Sequence, residues 1–386
     1  MNSANDFAND YADDLSLLIE GRREEFCSLS DKIWEFAESR FQEFRSSSLL
    51  IDYLTARGFR ISKGIGGADT AFVAEYGSGK PVIGFLGEYD ALSGLSQQAD
   101  CDFHAPTTPG GDGHGCGHNL LGTAALAAAV ALKEYQEEKG LPGTIRYYGC
   151  PAEENASGKV YMVRAGVFHD CDIALTWHPG WKNYVTATGS LANFKVFFTF
   201  HGIASHAASS PHLGRSALDA VELMNVGANY LREHMIDQAR IHYAITNAGG
   251  SAPNVVQAEA QVLYSIRAPH VRQVKELYNR VCKIAQGAAL MTETSVEIEL
   301  AAAYSDYIGN DVIASRLRRQ MEAYLPLSYT EEELAYAEKF QKALSEQDKN
   351  SLEEAARALQ GKNPASVSSL PVWNFLLPDR PFDAST

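Results

Sequence analysis

A cysteine and two histidines alternate with glycines at His114-Gly-Cys116-Gly-His118, near the start of an Ala- and Leu-rich segment that begins at Asn119. Thiolate and imidazole groups are preferred ligands of zinc and similar divalent ions. The small glycines allow both side chains to reach one ion, and the dipole of a following helix is expected to lower the pKa of the thiol. The motif therefore predicts metal binding, although a glycine-rich turn with a buried thiol and two surface histidines fits the same pattern.

Three other segments each deliver a metal-capable side chain at the end of a predicted strand. Strand 144–148 leads to Glu153 and Glu154, strand 172–177 leads to His178, and strand 82–86 leads to Glu88 and Asp90. Neighbouring side chains point in different directions, so one of the two adjacent acids is expected to bind metal and the other to transfer protons. Taken alone, these acids could form an ordinary acidic loop. Because open α/β sheets bind ligands at the carboxyl ends of their strands, the segments together predict a dinuclear metal site.

The elements that must position these residues follow from hydrophobic periodicity. Helical spacing predicts two helices within 8–58 and a helix over 119–139, and strand-like runs occupy 71–76, 81–86, 144–148 and 172–177. Strands that alternate with helices predict an α/β layer with a mostly parallel sheet. From 194 to 301 the order becomes βαββαβ, which predicts an inserted ferredoxin-like domain. A capping box is predicted at Thr330-Glu-Glu-Glu333.

Composition limits the possible functions of the chain. Its 386 residues, 45% hydrophobic and 21% charged, fit a globular protein of two or three domains. The formal net charge of −15 argues against a nucleic-acid or anionic-membrane surface. No apolar run approaches the roughly 20 residues of a membrane span, and the acidic start does not resemble a secretory signal. Six cysteines without disulfide-like spacing predict reduced thiols and a cytoplasmic protein.

The segments around Glu88, Cys116, Glu153, His178 and His206 together resemble the aminoacylase and carboxypeptidase superfamily of metallo-amidohydrolases. Within it they resemble the branch that carries a Cys-x-His pair in the metal site. The motifs are long, since they extend over residues 87–98, 114–122 and 206–220, and the resemblance continues to about residue 345.

The resemblance implies a role for each matching residue of the catalytic domain. The implied metal ligands of two Mn²⁺ or Zn²⁺ ions are Cys116, His118, Glu154 and His178. Glu153 would be the general base for a metal-activated water. Asp90 would orient a ligand from the outer shell, and Asn119, where many relatives carry an aspartate, is expected to make an outer-shell hydrogen bond with less negative charge at the metals.

In the inserted domain, the resemblance implies that His206 reaches into a partner subunit's active site and polarises the scissile carbonyl. Asn254 and Arg267 match positions that hold the free carboxylate of the substrate, for which an amide and a guanidinium are suitable donors. Without the resemblance, His206 would be an ordinary loop histidine and Arg267 an edge-strand residue in a surface ion pair.

The resemblance divides the chain into a catalytic domain in two parts, 1–188 and 304–386, and an inserted dimerisation or lid domain, 189–303. Relatives continue beyond the segment ending Asp383-Ala-Ser-Thr386 with a further histidine ligand, and no histidine follows His270 here. The expectation is a C-terminally short chain that lacks this ligand.

The expected reaction is hydrolysis of an amide bond in an N-acyl or N-aryl amino acid of the p-aminobenzoyl-glutamate type. The alternatives are a general N-acyl-amino-acid deacylase or dipeptidase of the same fold, or a metal-binding subunit without turnover. The expected assembly is a homodimer or a hetero-oligomer with a related subunit.

Overall fold

The computed structural model describes residues 6–180, 183–186, 189–324, 327–351 and 367–370. These residues form two compact units. The first contains the described residues up to Asn183 together with 327–351, and the second contains those from Tyr184 to 324 together with 367–370.

The first unit is an α/β layer. Its elements are α1 (Asp6–Glu20), α2 (Arg23–Phe36), α3 (Phe44–Thr55), β1 (Arg60–Lys63), β2 (Phe72–Ser78), β3 (Val82–Glu88), α4 (His118–Lys139), β4 (Gly143–Cys150), α5 (Glu153–Ala156), α6 (Gly158–Arg164) and β5 (Ile173–Leu175). A 3-10 turn (Ile65–Gly67) follows β1, and the helix here named α10 (Glu331–Ala343) returns to this unit later in the chain.

The sheet of the first unit has the strand order β1-β2-β4-β3-β5. Strands β3, β4 and β5 run parallel, whereas β1 and β2 pair antiparallel. Glu88 pairs with Cys150 in the register of β3 and β4, so these strands end side by side. The mixed sheet confirms the predicted α/β class and places three carboxyl ends at one edge, where such sheets bind ligands.

Helix α4 packs against the sheet through alanine, glycine and leucine residues. The buried Ala125, Ala129 and Leu126 line its inner face. Gly122 lies at the closest approach, because a Cβ there would stand 2.4 Å from the Glu88 carbonyl oxygen. This contact fixes the start of α4 against the end of β3.

The N-terminal region differs from the prediction, because three helices form where two were expected. The chain breaks between α1 and α2 at Gly21, whose amide donates to the Leu17 carbonyl and closes the first helix. Strand β1 was not predicted, since its four residues Arg60–Lys63 are largely polar and exposed.

The second unit contains the predicted βαββαβ order. Its elements are β6 (Asn183–Thr186, which begins at the boundary between the units), β7 (Ala192–His201), α7 (Ala217–Leu231), β8 (Arg240–Asn247), β9 (Glu259–Ala268), α8 (Val271–Thr292), β10 (Ser295–Tyr304), α9 (Asp311–Ala323) and β11 (Val367–Leu370), with 3-10 turns at Pro211–Leu213 and Arg232–His234. An antiparallel sheet of order β10-β7-β9-β8 packs on α7 and α8. Strand β8 forms one edge of this sheet and is exposed except at Ile241.

Helix α9 falls in the second unit, whereas the sequence placed residues after 303 with the catalytic part. The functional assignment of the units remains a prediction.

The capping box of α10 is present, since Thr330 Oγ1 accepts from the Glu333 amide and the Glu333 carboxylate accepts from the Thr330 amide. The C-terminal segment 371–386 lies outside the described residues. Among the residues described, no helix has the length and apolarity needed to cross a membrane.

Candidate metal centre

The metal-capable residues come from four segments that meet at the carboxyl edge of the parallel strands. Glu88 ends β3, His118 begins α4, and Glu154 lies in α5, which follows β4 after a two-residue turn. His178 follows β5 by three residues. Short connections therefore hold these side chains close to rigid elements.

His118 is fully buried at the centre of this cluster. Its Nδ1 lies 2.9 Å from Asp90 Oδ1, which fixes the ring, and Asp90 Oδ2 accepts from the Glu154 amide at 3.0 Å. The Nε2 atom faces the remaining acids, 3.1 Å from Glu88 Oε2 and 3.9 Å from Glu154 Oε1. With its proton on Nδ1, the ring directs the lone pair of Nε2 toward these carboxylates.

Burial and the Asp90 contact act in opposite directions on the pKa of His118. Burial lowers it, but the hydrogen bond to Asp90 and the surrounding carboxylate charges outweigh burial and raise the pKa above its ordinary value. The site therefore attracts a positive charge at this position.

Cys116 and His178 form the outer side of the cluster. Cys116 Sγ lies 3.3 Å from His178 Nε2, and His178 Nδ1 lies 2.7 Å from the Pro179 carbonyl oxygen. The imidazole thus donates from Nδ1 and presents Nε2 to the thiol. Gly117, at φ 79°, permits the approach of this loop, because a Cβ there would stand 3.0 Å from Pro179 Cγ.

Two overlapping groups have their potential donor atoms within 4.8 Å of one another: Cys116, His118 and His178, and Glu88, His118 and Glu153. Donors at about 2.0–2.3 Å from one ion lie roughly 3–4 Å apart, so the observed 3.1 Å and 3.3 Å separations fit a shared cation. The buried atoms Glu88 Oε2 and His118 Nε2 have no hydrogen-bond partner. The donor set of thiol, imidazole and carboxylate suits a borderline divalent ion.

The expected lowering of the Cys116 pKa is wrong for the protein without its metal. Burial, the contact with Glu154 and the charges of nearby acids raise the pKa of this thiol to about 12. Burial and the nearby carboxylates both disfavour the thiolate form, so a thiolate here requires a cation beside it.

Glu153 lies beside the predicted ligands and belongs to the second donor group. Burial raises the pKa of its carboxyl group, and the charge of Glu88 raises it further, against a lowering by Lys159. A raised carboxylate pKa strengthens the group as a proton acceptor.

Asn119 and His114 face away from the donor atoms. Asn119 Nδ2 donates to Ser30 Oγ at 2.9 Å, so its described hydrogen bond goes to α2 rather than to a predicted ligand. The predicted outer-shell role of Asn119 remains a prediction. His114 is buried rather than on the surface, with Nε2 3.0 Å from the Ile33 carbonyl oxygen, and burial lowers its pKa to about 4.

Lys159 was missed by the sequence analysis, and Glu88 was noted there without a role. Lys159, in α6, donates to Glu88 Oε1. The position of Glu88 at the end of β3 was a usable signal, whereas nothing in the local sequence distinguishes Lys159 from a surface helix lysine.

The three predicted substrate residues of the second unit occupy two ends of its sheet. His206 and Asn254 lie together, since Val255 bridges to His206 and the Ala207 amide donates to the Asn254 carbonyl at 2.9 Å. Arg267 is near the opposite end of β9, eight residues beyond Glu259. The exposed His206 accepts at Nδ1 from the amides of Ala208 and Ser209, both at 3.2 Å, which leaves the proton of a neutral ring on Nε2.

Comparisons with known proteins agree with this architecture. Residues 84–349 match the family described as peptidase family M20/M25/M40. A p-aminobenzoyl-glutamate hydrolase subunit of Escherichia coli (strain K12) is 52% identical over 346 residues, covering 89% of this chain and 72% of that protein. The Xaa-Arg dipeptidase of Mus musculus is 31% identical over 310 residues, covering 77% and 68%. The crystal structure of an aminobenzoyl-glutamate utilization protein from Klebsiella pneumoniae has a similar fold, with a TM-score of 0.64 at 20% identity over 85% of this chain and 91% of that one.

Proposed function

Since the chain belongs to peptidase family M20/M25/M40, whose members are metal-dependent hydrolases of amide bonds, we propose that its substrate is an N-acyl or N-aryl amino acid of the p-aminobenzoyl-glutamate type. The observation that carries this proposal is the convergence of Cys116, His118 and His178 beside Glu153. The similarity to a p-aminobenzoyl-glutamate hydrolase subunit supports the substrate class.

Two divalent ions, Mn²⁺ or Zn²⁺, would be held by Cys116, His118, Glu154 and His178. When bound, such ions polarise the amide carbonyl and make a water molecule more acidic. Asp90 supports this arrangement from outside, because it fixes the ring of His118 and also accepts from the backbone of Glu154.

Glu153 would act as the general base. Its carboxylate takes a proton from the attacking water and passes it to the leaving amine nitrogen, which becomes a neutral amino group. Its partly buried position beside the predicted ligands and its raised pKa support this role.

The second unit would supply the substrate contacts. His206 presents an Nε2–H that can donate to the carbonyl oxygen as negative charge develops there. Asn254 and Arg267 would hold the free carboxylate. His206 and Asn254 lie at one end of the sheet and Arg267 lies near the other end. One substrate can therefore contact all three residues only if His206 and Asn254 come from one subunit and Arg267 from another.

A homodimer or a hetero-oligomer with a related subunit would provide that second copy. The name of the Escherichia coli relative describes it as one subunit of a hydrolase, and the exposed edge strand β8 offers a surface for pairing. All six cysteines are free thiols, which supports a reducing, cytoplasmic compartment.

A dipeptidase activity is the second candidate, supported by the similarity to an Xaa-Arg dipeptidase. A metal-binding subunit without turnover is the third. It is motivated by the two differently named subunits of the Escherichia coli hydrolase, both of which are similar to this chain.

The test is a substrate comparison with added Mn²⁺ or Zn²⁺. Purified protein is assayed on p-aminobenzoyl-glutamate, acetyl- and indoleacetyl-amino acids, and an Xaa-Arg dipeptide. We expect the highest kcat/KM on p-aminobenzoyl-glutamate. A preference for the dipeptide would replace the proposed function by the second candidate. Stoichiometric metal binding without turnover on any of these substrates, alone or with a related subunit, would favour the third.

A further inference from the structure

Glu88, the last residue of β3, has a buried carboxylate. The residue is 7% exposed, and Lys159 donates to its Oε1. The other oxygen, Oε2, has no hydrogen-bond partner and lies 3.1 Å from His118 Nε2, which is equally buried and unpartnered.

The two atoms face each other with no hydrogen bond between them. Asp90 occupies Nδ1 of His118, so Nε2 is the ring atom that remains for a further partner. Buried polar atoms without partners are destabilising, so a ligand bound to both atoms would remove this cost. Lys159 satisfies only the far oxygen, so the near oxygen is turned toward His118 and kept available.

We propose that Glu88 is a further carboxylate donor to the metal centre and that Lys159 orients it. This inference rests on the proposed metal-dependent function, but it concerns a residue to which the family resemblance gave no role. The 3.1 Å separation from His118 Nε2 fits two donors on one ion.

The backbone fixes Lys159 for this role. Gly158, the first residue of α6, lies against the Pro151 carbonyl, where an added Cβ would stand 1.9 Å from the oxygen. That close approach holds the start of α6 on the turn after β4 and aims Lys159 at the end of β3. Lys159 is therefore a positioning residue, which acts through the carboxylate that it holds.

Metal affinity provides a direct test. The variants Glu88→Gln and Lys159→Met are compared with wild type by competition with a chromogenic chelator for Zn²⁺ and Mn²⁺, and by the visible absorption spectrum after loading with Co²⁺. Glu75→Gln is the matched carboxylate control, since Glu75 is ion-paired in the same unit with Arg60 and Arg146. Lys133→Met is the matched lysine control, because Lys133 pairs with Glu137 on α4.

We expect Glu88→Gln to lower the affinity for one of the bound metal ions at least tenfold and to change the Co²⁺ spectrum. Loss of a residue that orients a ligand typically lowers metal affinity 10–100-fold, so Lys159→Met should lower the affinity for the same metal ion about tenfold. Neither control should change affinity or spectrum. Circular dichroism of each metal-free variant checks its folding, and if Glu88→Gln does not fold, the affinity and spectrum of Lys159→Met decide.

Wild-type affinity and spectrum in both variants would overturn the role of Glu88. If His118→Ala lost metal in the same experiment, the proposed metal centre would stand without Glu88. If wild type itself bound neither Zn²⁺, Mn²⁺ nor Co²⁺, the proposed function would fail together with this inference.

Discussion

A mixture of two inactive variants should regain activity if the active site is shared between subunits. His206→Ala removes the predicted carbonyl donor in the second unit, and Glu153→Gln removes the predicted base in the first. Loss of one donor to a developing oxyanion typically lowers kcat about 10²–10³-fold. A heterodimer of the two variants carries one site in which both residues are intact.

The sheet of the second unit supports this expectation. The loop of His206 lies at the Glu259 end of β9, and eight residues at about 3.4 Å each place Arg267 roughly 27 Å along the strand. An extended dipeptide spans only about 7 Å. His206 and Arg267 of one chain therefore cannot contact the same small substrate.

The size of the recovery follows from symmetry. Random exchange at equal concentrations makes half of the dimers heterodimers, and each has one intact site of two, so the mixture should regain about a quarter of wild-type activity. Exchange is shown by mass spectrometry of differently tagged chains. His212→Ala, an exposed histidine in the following 3-10 turn, is the control and should keep wild-type activity.

Activity that stays at the level of the separate variants, despite proven exchange, would refute the shared site. His206 would then act within its own chain or have no role in the reaction.

Three further outcomes test other parts of the structure. Glu153→Gln alone should lower kcat by about 10²–10⁴-fold with unchanged metal content by elemental analysis, and a rate above a hundredth of wild type would count against a general base. The pKa of His114 is lowered to about 4 from an ordinary 6.5, so the unfolded chain binds this proton first as the pH falls. The contribution of neutral His114 to the free energy of unfolding is complete above about pH 6.5, and up to roughly 3 kcal/mol of it is lost between pH 6.5 and 4. Urea titrations should find this pH dependence reduced in His114→Gln. Gly122→Ala should destabilise the fold by about 1–3 kcal/mol through its contact with the Glu88 carbonyl, whereas Gly287→Ala in α8, which meets nothing within 4 Å, should be neutral or stabilising in the same thermal melts.

Local patterns were sufficient for much of the fold. The βαββαβ unit was predicted in the right order, because each of its strands and helices has a clear hydrophobic period and a turn at its ends. The helix at 118–139 and the parallel strands around it were also predicted. Strand β1 could not be predicted, since its stability comes from pairing with β2 rather than from its own polar residues.

The positions of the metal-capable residues could be predicted because each one follows directly from a strand or begins a helix. Their mutual arrangement depends on contacts that the sequence does not display. Lys159 is 71 residues from Glu88 in the chain, and only the approach of α6 to the end of β3 brings them together. The direction of the Cys116 pKa shift was missed for the same reason, because the burial of the thiol and its contact with Glu154 both arise from the fold.

These two misses concern the same property of the cluster. The helix dipole is a local effect that a sequence shows, whereas the fold brings Glu154, which follows β4, to Glu88 and Asp90 at the end of β3. Lys159 donates to Oε1 of Glu88, while the other oxygen of Glu88 lies beside His118. Burial and the negative charge of these acids raise the pKa of the thiol and of Glu153, and two buried polar atoms, Glu88 Oε2 and His118 Nε2, are left without hydrogen-bond partners. A divalent cation would reverse each of these effects, which is why the electrostatics of the protein alone point to a metal centre.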